Sequence, residues 1–290
     1  MLRLAMENVW SAGASTMHVN AWHLPNRIEE ALDGFEGATD VELHVEQRLL
    51  GTAGGIHNAL GSNPGAPVLV HNGDVIFCGS LRPLVEAHIS SGALASLGLI
   101  RVDDPSIPRS VHCGGDGVVR DFRGDDREHG WTFSGIHVLS PELFEFIVDE
   151  GCIVADVYRN FLSEDRIHGV SLTGRWADLG TIERFRSMHD EVLGDPKLLA
   201  HIRPDLPLSA EGALASIHPT AELSGSVSLQ EPYRIESGAR IGSGAQIGPY
   251  AFVGEGACIN EGATLIRTVV LPASSVEGEQ IDAVCFEKED

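Results

Sequence analysis

From Ile217 onward one apolar residue returns at every sixth position: Ile217, Leu223, Leu229, Ile235, Ile241, Ile247, Val253, Ile259, Leu265 and Leu271. Small residues recur between them, as in "IESGAR IGSGAQ IGPYAF VGEGAC INEGAT". A period of six matches neither the 3.6 of a helix nor the 2 of a half-buried strand. It matches a hexapeptide coil of short parallel strands, with each apolar residue on a narrow axis and glycines at the corners. An alternating β-sandwich is the alternative. The period predicts a parallel β-helix over residues 214–276 and a C-terminal tail over 277–290. The open end of a solenoid invites capping or association, so a homo-oligomer formed through the β-helix is expected.

The preceding residues follow another pattern. "STMHVN" reads as a strand, and in "LPNRIEEALDGF" Leu24, Ile28, Ala31 and Leu32 share one helical face. "APVLVHNGD" is an apolar run suited to a buried parallel strand, "LRPLVEAHI" reads as a helix and "GALASLGLIRV" as the next strand. This alternation predicts an α/β layer domain over residues 1–193. Gly194 to Ala213 contains Pro196, Pro204 and Pro207 and reads as a linker.

Composition narrows the partners. A formal net charge of −22 argues against nucleic acid or an anionic membrane surface. An anionic small substrate would need local cations or a divalent metal to offset that charge. The only lysines are Lys197 and Lys288, so arginine supplies nearly all of the positive charge. No run approaches the roughly 18 apolar residues of a membrane span, and no leader pattern is present. The five cysteines are scattered without a C-x-x-C pair, so neither a disulfide framework nor a zinc site is expected, and a reduced cytoplasmic setting is. The thirteen histidines show no H-x-x-x-H pair with carboxylate support and read as ordinary core or surface residues.

Four segments are candidates for chemistry. "LLGTAGGIHNAL", Leu49 to Leu60, has the glycines of a phosphate loop, but the G-x-x-x-x-G-K-[ST] spacing and its lysine are absent. "PVLVHNGDVIF" sets Asp74 just past a buried strand, where α/β sheets bind ligands; the run after it reads as a return to helix. The competing reading is an Asn-Gly hairpin turn with Asp74 merely solvated. "TGRWADLGTIERF" sets Asp178 on a turn before a helix capped by Thr181, with Glu183 at its positive end. Two such aspartates would hold Mg²⁺ and leave room for phosphate oxygens; the competing reading of Asp178 is a plain turn residue, and neither aspartate decides alone. In "GWTFSGIHVLSPELFEFI" a strand enters Gly135 and a helix starts near Pro141. That glycine serves either close approach of a substrate or packing. No G-x-S-x-G or Cys/His arrangement for nucleophilic catalysis stands out.

In this order, "LLGTAGGIHNAL", "VLVHNGDV", "FSGIHVLSPELF" and "WADLGTIERF", followed by hexapeptide repeats, resemble the sugar-1-phosphate nucleotidyltransferases, mannose-1-phosphate guanylyltransferase-like members in particular. The resemblance implies a Rossmann-like domain with a mixed, mostly parallel sheet and a C-terminal left-handed parallel β-helix. It implies that Gly51, Thr52, Ala53 and Gly54 line the nucleobase and ribose pocket. Asp74 and Asp178 would be the catalytic residues that hold Mg²⁺, and Gly135 would contact the sugar. A nucleoside triphosphate and a sugar 1-phosphate would be the substrates. Family members open with a strand and a G-x-G-x-R-L-x-P-L-T loop, and by comparison this chain lacks them, so the first strand of the sheet is expected to be missing. The family's lysine in an E-K-P-like segment is matched here by "VVRDFRGDDREHGW", where Arg120, Arg123 or Arg127 is the candidate substitute. A non-catalytic regulatory or binding paralogue, or a truncated fragment, stands as the alternative to a full enzyme. A solenoid acyltransferase is a weaker one, since His218 is the only histidine in the repeats.

Overall fold

The structure is a computed structural model, and it describes residues 1–33, 35, 40–195, 197–198, 202 and 215–286. It forms two compact units, Met1–Asp178 and Leu179–Asp290. The sequence places the change of unit at residue 193; in the structure it falls after Asp178. Most of the linker expected from Gly194 to Ala213 lies outside the described residues, and Gly194 itself ends a helix.

The first unit runs α1 (Leu2–Ser11), β1 (Thr16–Ala21), α2 (Pro25–Leu32), β2 (Asp40–Val45), α3 (Gly51–Leu60), β3 (Val68–His71), β4 (Val75–Cys78), α4 (Arg82–Ser91), β5 (Ala95–Ile100), β6 (His112–Cys113), β7 (Val119–Asp121), β8 (Thr132–Leu139), β9 (Ile167–Ser171) and β10 (Arg175–Asp178). Short 3₁₀ and π turns fill the stretch between β8 and β9. The main sheet has the order β3-β8-β5-β9. β8 is antiparallel to both β3 and β5, while β5 and β9 are parallel, so three of the four strands run one way. β1 and β2 form a separate parallel pair, and β4 pairs antiparallel with β10. The run after Asp74 is therefore a strand, and the helix expected there begins only at Arg82.

The continuous apolar runs of β5 and β8 reflect burial on both faces. Ala95, Leu97 and Leu99 join Leu139, Leu143, Phe144 and Tyr158 in one core cluster. Ile136 and Val138 join Val75, Phe77, Leu81 and Leu84 in another. His88 is buried but satisfied, with Nδ1 3.0 Å from the Ser96 hydroxyl and Nε2 3.1 Å from that of Ser140. His137 is likewise buried, against the Tyr158 hydroxyl, and burial pushes its imidazole down to about 3.

In the second unit α5 (Ile182–Gly194) is capped by Thr181, whose hydroxyl accepts from the Arg184 N–H at 3.2 Å. Its Arg186 reaches Asp282 at 3.4 Å, and its His189 ring meets Phe252 at 5.2 Å. Beyond it the chain winds through three parallel sheets. Ile217 pairs with Ile235, Leu223 with Ile241, and Leu229 with Ile247, so each strand pairs with the one three strands later. Ile235, Ile241, Ile247, Val253, Ile259 and Leu265 are at most 2% exposed, and Ala239, Ala245, Ala251, Ala257 and Ala263 fill the axis between them. This is a three-sided parallel β-helix. Ile217 and Leu229, in the first coil, are 39% and 36% exposed, and among the described residues their strands have a ladder partner on one side only.

Two expectations for the coil are corrected. Val253 pairs with Val270, not Leu271, and Ile259 pairs with Val276. Val270 is fully buried and Leu271 only partly. The corner at Arg267, where φ is +45°, takes one residue fewer, and the backbone ladder overrides the sequence period. Nor does the coil end at Val276, because Glu279–Ile281 and Val284–Cys285 add further rungs.

Truncating Ile247 to Ala should destabilise the coil by about 2–5 kcal/mol, the usual cost of a cavity at a buried aliphatic. Far-UV circular dichroism during denaturant unfolding would read this. All four tryptophans (Trp10, Trp22, Trp131 and Trp176) lie in the first unit, so their fluorescence reports that unit alone. The unfolded chain binds a proton at His137 that the folded chain refuses between an ordinary value of 6.5 and about 3. Stability is therefore present above pH 6.5 and declines as pH falls through that window, by about 1.4 kcal/mol per pH unit for one proton. His137→Asn should flatten the pH dependence of tryptophan-monitored stability by that slope; an unchanged slope would contradict the assignment.

Candidate active site

Three of the four singled-out motifs converge through two hydrogen bonds to the backbone carbonyls of β8. β3 ends at His71, and the Asn72 N–H donates to the Gly135 carbonyl at 3.0 Å. One residue earlier on β8, the Ser134 carbonyl accepts from the Trp176 indole N–H at 2.9 Å. Trp176 lies on β10, whose last residue, Asp178, is opposite Val75 in the ladder. Asp74 immediately precedes Val75, in a turn closed by the Val75 N–H on the Asn72 carbonyl at 3.2 Å. The two aspartates thus stand at the same end of the β4/β10 pair, Asp74 exposed and Asp178 half-buried.

The Asn-Gly pair is not a hairpin, because the strands on either side of it belong to different sheets. Asp178 is the end of a strand, not a turn residue as the sequence suggested. Gly135 adopts φ +76°, and a Cβ there would lie 2.9 Å from the Asn72 side-chain nitrogen. A side chain at that position would crowd the Asn72 side chain and would hold a strained left-handed backbone, so this position favours glycine. The register of β5 on β8 also shifts here, between Leu97 and Leu99. A bulge of this kind re-aims a strand beside a site.

His71 is a site neighbour that sequence reasoning did not single out. Its Nδ1 lies 2.9 Å from the Asn72 carbonyl. Its Nε2 is buried without a hydrogen-bond partner among the described residues. Burial holds this imidazole below its ordinary value, against a smaller opposing pull from the Asn72 carbonyl and Asp74. Its position next to N-G-D was the available signal.

The glycine segment is the first turn of α3 rather than an open loop. A Cβ on Gly51 would lie 2.5 Å from the Gly151 carbonyl oxygen, and one on Gly54 2.4 Å from that of Asp149. The Ala53 N–H donates to the Gly151 carbonyl at 2.9 Å, and the Thr52 hydroxyl accepts from the Ile153 N–H at 3.0 Å. The close approach these glycines permit is used by the chain's own 149–151 backbone. Gly51 and Thr52 remain exposed at the helix start, whereas Ala53 and Gly54 are buried.

The arginines proposed in place of the lysine are held locally. Arg120 pairs with Asp116 at 2.6 Å and with Asp165, and Arg123 with Asp121 at 3.4 Å. Arg127 pairs with Asp125 at 2.8 Å and also donates to the Asp104 and Pro105 carbonyls.

A family model described as Nucleotidyl transferase matches residues 1–194. N-acetylmuramate alpha-1-phosphate uridylyltransferase of Neisseria meningitidis serogroup B is 32% identical over 186 residues, 60% of this chain and 77% of that protein. Mannose-1-phosphate guanylyltransferase of Mycobacterium tuberculosis is 30% identical over 226 residues, covering 76% of this chain and 61% of the relative. In structure the chain is similar to HddC from Yersinia pseudotuberculosis, with a TM-score of 0.54 and 20% identity over 64% of this chain and 82% of HddC. A complex of HddC with GMP-PN gives a TM-score of 0.53. The α/β unit that joins N-G-D, F-S-G and W-x-D therefore carries a family as well as a fold: the chain belongs to the nucleotidyl transferase family, that of the sugar-1-phosphate nucleotidyltransferases.

Proposed function

We propose that this chain transfers a nucleotidyl group from a nucleoside triphosphate to a sugar 1-phosphate, releasing pyrophosphate. The observation that carries the proposal is the hydrogen-bonded convergence of Asn72–Asp74, Ser134–Gly135 and Trp176–Asp178 at one end of a strand pair. The reaction forms one bond, from a sugar phosphate oxygen to the α-phosphorus. It breaks one, from that phosphorus to the oxygen that leaves with pyrophosphate, in line with the attack.

The donor set fits a hard divalent cation. Asp74 and Asp178 would offer carboxylate oxygens from adjacent strand ends. Few protein ligands leave positions for water and phosphate oxygens, which suits Mg²⁺. Bound there, the cation would neutralise charge on the phosphates. The protein's own work is orientation. The bare backbone at Gly135 would admit the sugar beside the turn, and the exposed Gly51 and Thr52 of the segment Gly51–Gly54 would face the nucleotide.

The relatives differ in base and sugar, since one is named a uridylyltransferase and the other a guanylyltransferase. The decisive assay is pyrophosphate release by the full chain with Mg²⁺. UTP and GTP would each be paired with mannose 1-phosphate and N-acetylmuramate α-1-phosphate. Saturable turnover with one pairing is expected, and Asp74→Asn or Asp178→Asn should each lower kcat on the order of 10²- to 10³-fold, as for loss of one charge-stabilising group. Nucleotide binding by calorimetry without turnover would favour a binding or regulatory paralogue. Neither binding nor turnover with any pairing would overturn the proposal.

A further inference from the structure

We infer that His18, Glu42 and His44 form a zinc site on the face of the β1–β2 pair, independent of the carboxylates at Asp74 and Asp178. The parallel register sets His18 opposite Glu42 and Asn20 opposite His44. Side chains alternate along a strand, so these four residues share one face. His18 Nδ1 lies 2.9 Å from His44 Nε2 and 3.5 Å from Glu42 Oε2, and His44 Nε2 lies 3.7 Å from the same carboxylate oxygen. It is a cluster of three potential metal ligands whose donor atoms are all close together.

The separations carry the argument. A point equidistant from three donors so spaced lies about 2 Å from each, the length of a zinc–nitrogen or zinc–carboxylate bond. Without a metal, one imidazole nitrogen must donate its proton to the other, and no proton remains between them for the carboxylate. A cation at the common point satisfies all three lone pairs at once. Two imidazoles and one carboxylate are a donor set that zinc accepts with one position left for water. Magnesium, which prefers oxygen, is disfavoured by the two nitrogens. The side chains of His18 and His44 are 26% and 21% exposed and that of Glu42 65%, so an ion can enter from solvent. Both strands are regular here, and the donors stand two residues apart on β2 and directly across on β1.

Occupancy would also brace the start of α3. Asn20, next along that face, lies so close to α3 that a Cβ on Gly55 would be 2.7 Å from its side-chain nitrogen. Glu46, just past β2, donates its N–H to the Ala21 carbonyl at 2.8 Å and accepts from the Leu50 N–H at 3.1 Å. Zinc would therefore clamp β1 to β2 immediately before the segment that turns into α3.

The test uses the chelator-stripped full chain titrated with Zn²⁺, and with Co²⁺ as a spectroscopic substitute. One equivalent should bind, and Co²⁺ should give four-coordinate visible absorption without a thiolate charge-transfer band, which separates this site from the five free cysteines. His18→Gln and His44→Gln should each weaken binding by more than the roughly 10- to 100-fold lost with a supporting group. Asp74→Asn should keep the full zinc stoichiometry, so the result is independent of the transferase reading. Circular dichroism would show that each variant is folded. Unchanged affinity in the His18→Gln/His44→Gln double variant, a thiolate band, or no saturable binding would each overturn the inference.

Discussion

The candidate site depends on one peptide unit, the Gly135 carbonyl that accepts the Asn72 N–H. It is possible because β8 runs antiparallel between β3 and β5, inserting "FSG" beside the end of the strand that delivers N-G-D. A neighbouring carbonyl, that of Ser134, takes the Trp176 indole and fixes the strand that ends at Asp178. Any side chain at Gly135 would crowd the Asn72 side chain and strain a backbone held at φ +76°. Three motifs remote in sequence are held together on two adjacent β8 carbonyls, one taking a backbone N–H and the other the Trp176 indole, and a folded sheet positions such carbonyls rigidly.

The same economy of space explains the other glycines of note. Gly51 and Gly54 let the first turn of α3 lie on the carbonyls of Gly151 and Asp149. What looks in sequence like a loop made for a ligand is a helix start made for close packing. Only its outer edge, Gly51 and Thr52, faces solvent. In the coil, stacking in register decides which residue faces the axis. Where the corner at Arg267 shortens the circuit, Val270 takes the place that the period assigned to Leu271.

Much of this was legible from local pattern. A six-residue period leaves few folds open, and the hydrophobic run of β5 announced a strand buried on both faces, whereas β3, read the same way, is a half-buried edge strand. Asp74 and Gly135 stood out because each follows or interrupts a strand-like run, and Asp178 because it precedes a helix capped by Thr181. His71 did not, because a histidine beside a turn has no distinguishing period, and its orphaned nitrogen is a property of packing. The absence of C-x-x-C argued against zinc, yet His18 and His44 come within hydrogen-bonding distance of each other across two strands.

The sequence by itself determined the two architectures, the coil and the α/β layer, because repetition and hydrophobic period are local and survive without knowledge of partners. Only the tertiary structure decided which residues meet: Asn72 with Gly135, Trp176 with Ser134, Glu42 with two histidines. Strand order and register bring these together, and both are set by long-range pairing between segments whose local patterns are interchangeable. That is why the fold was readable in one dimension and the chemistry was not.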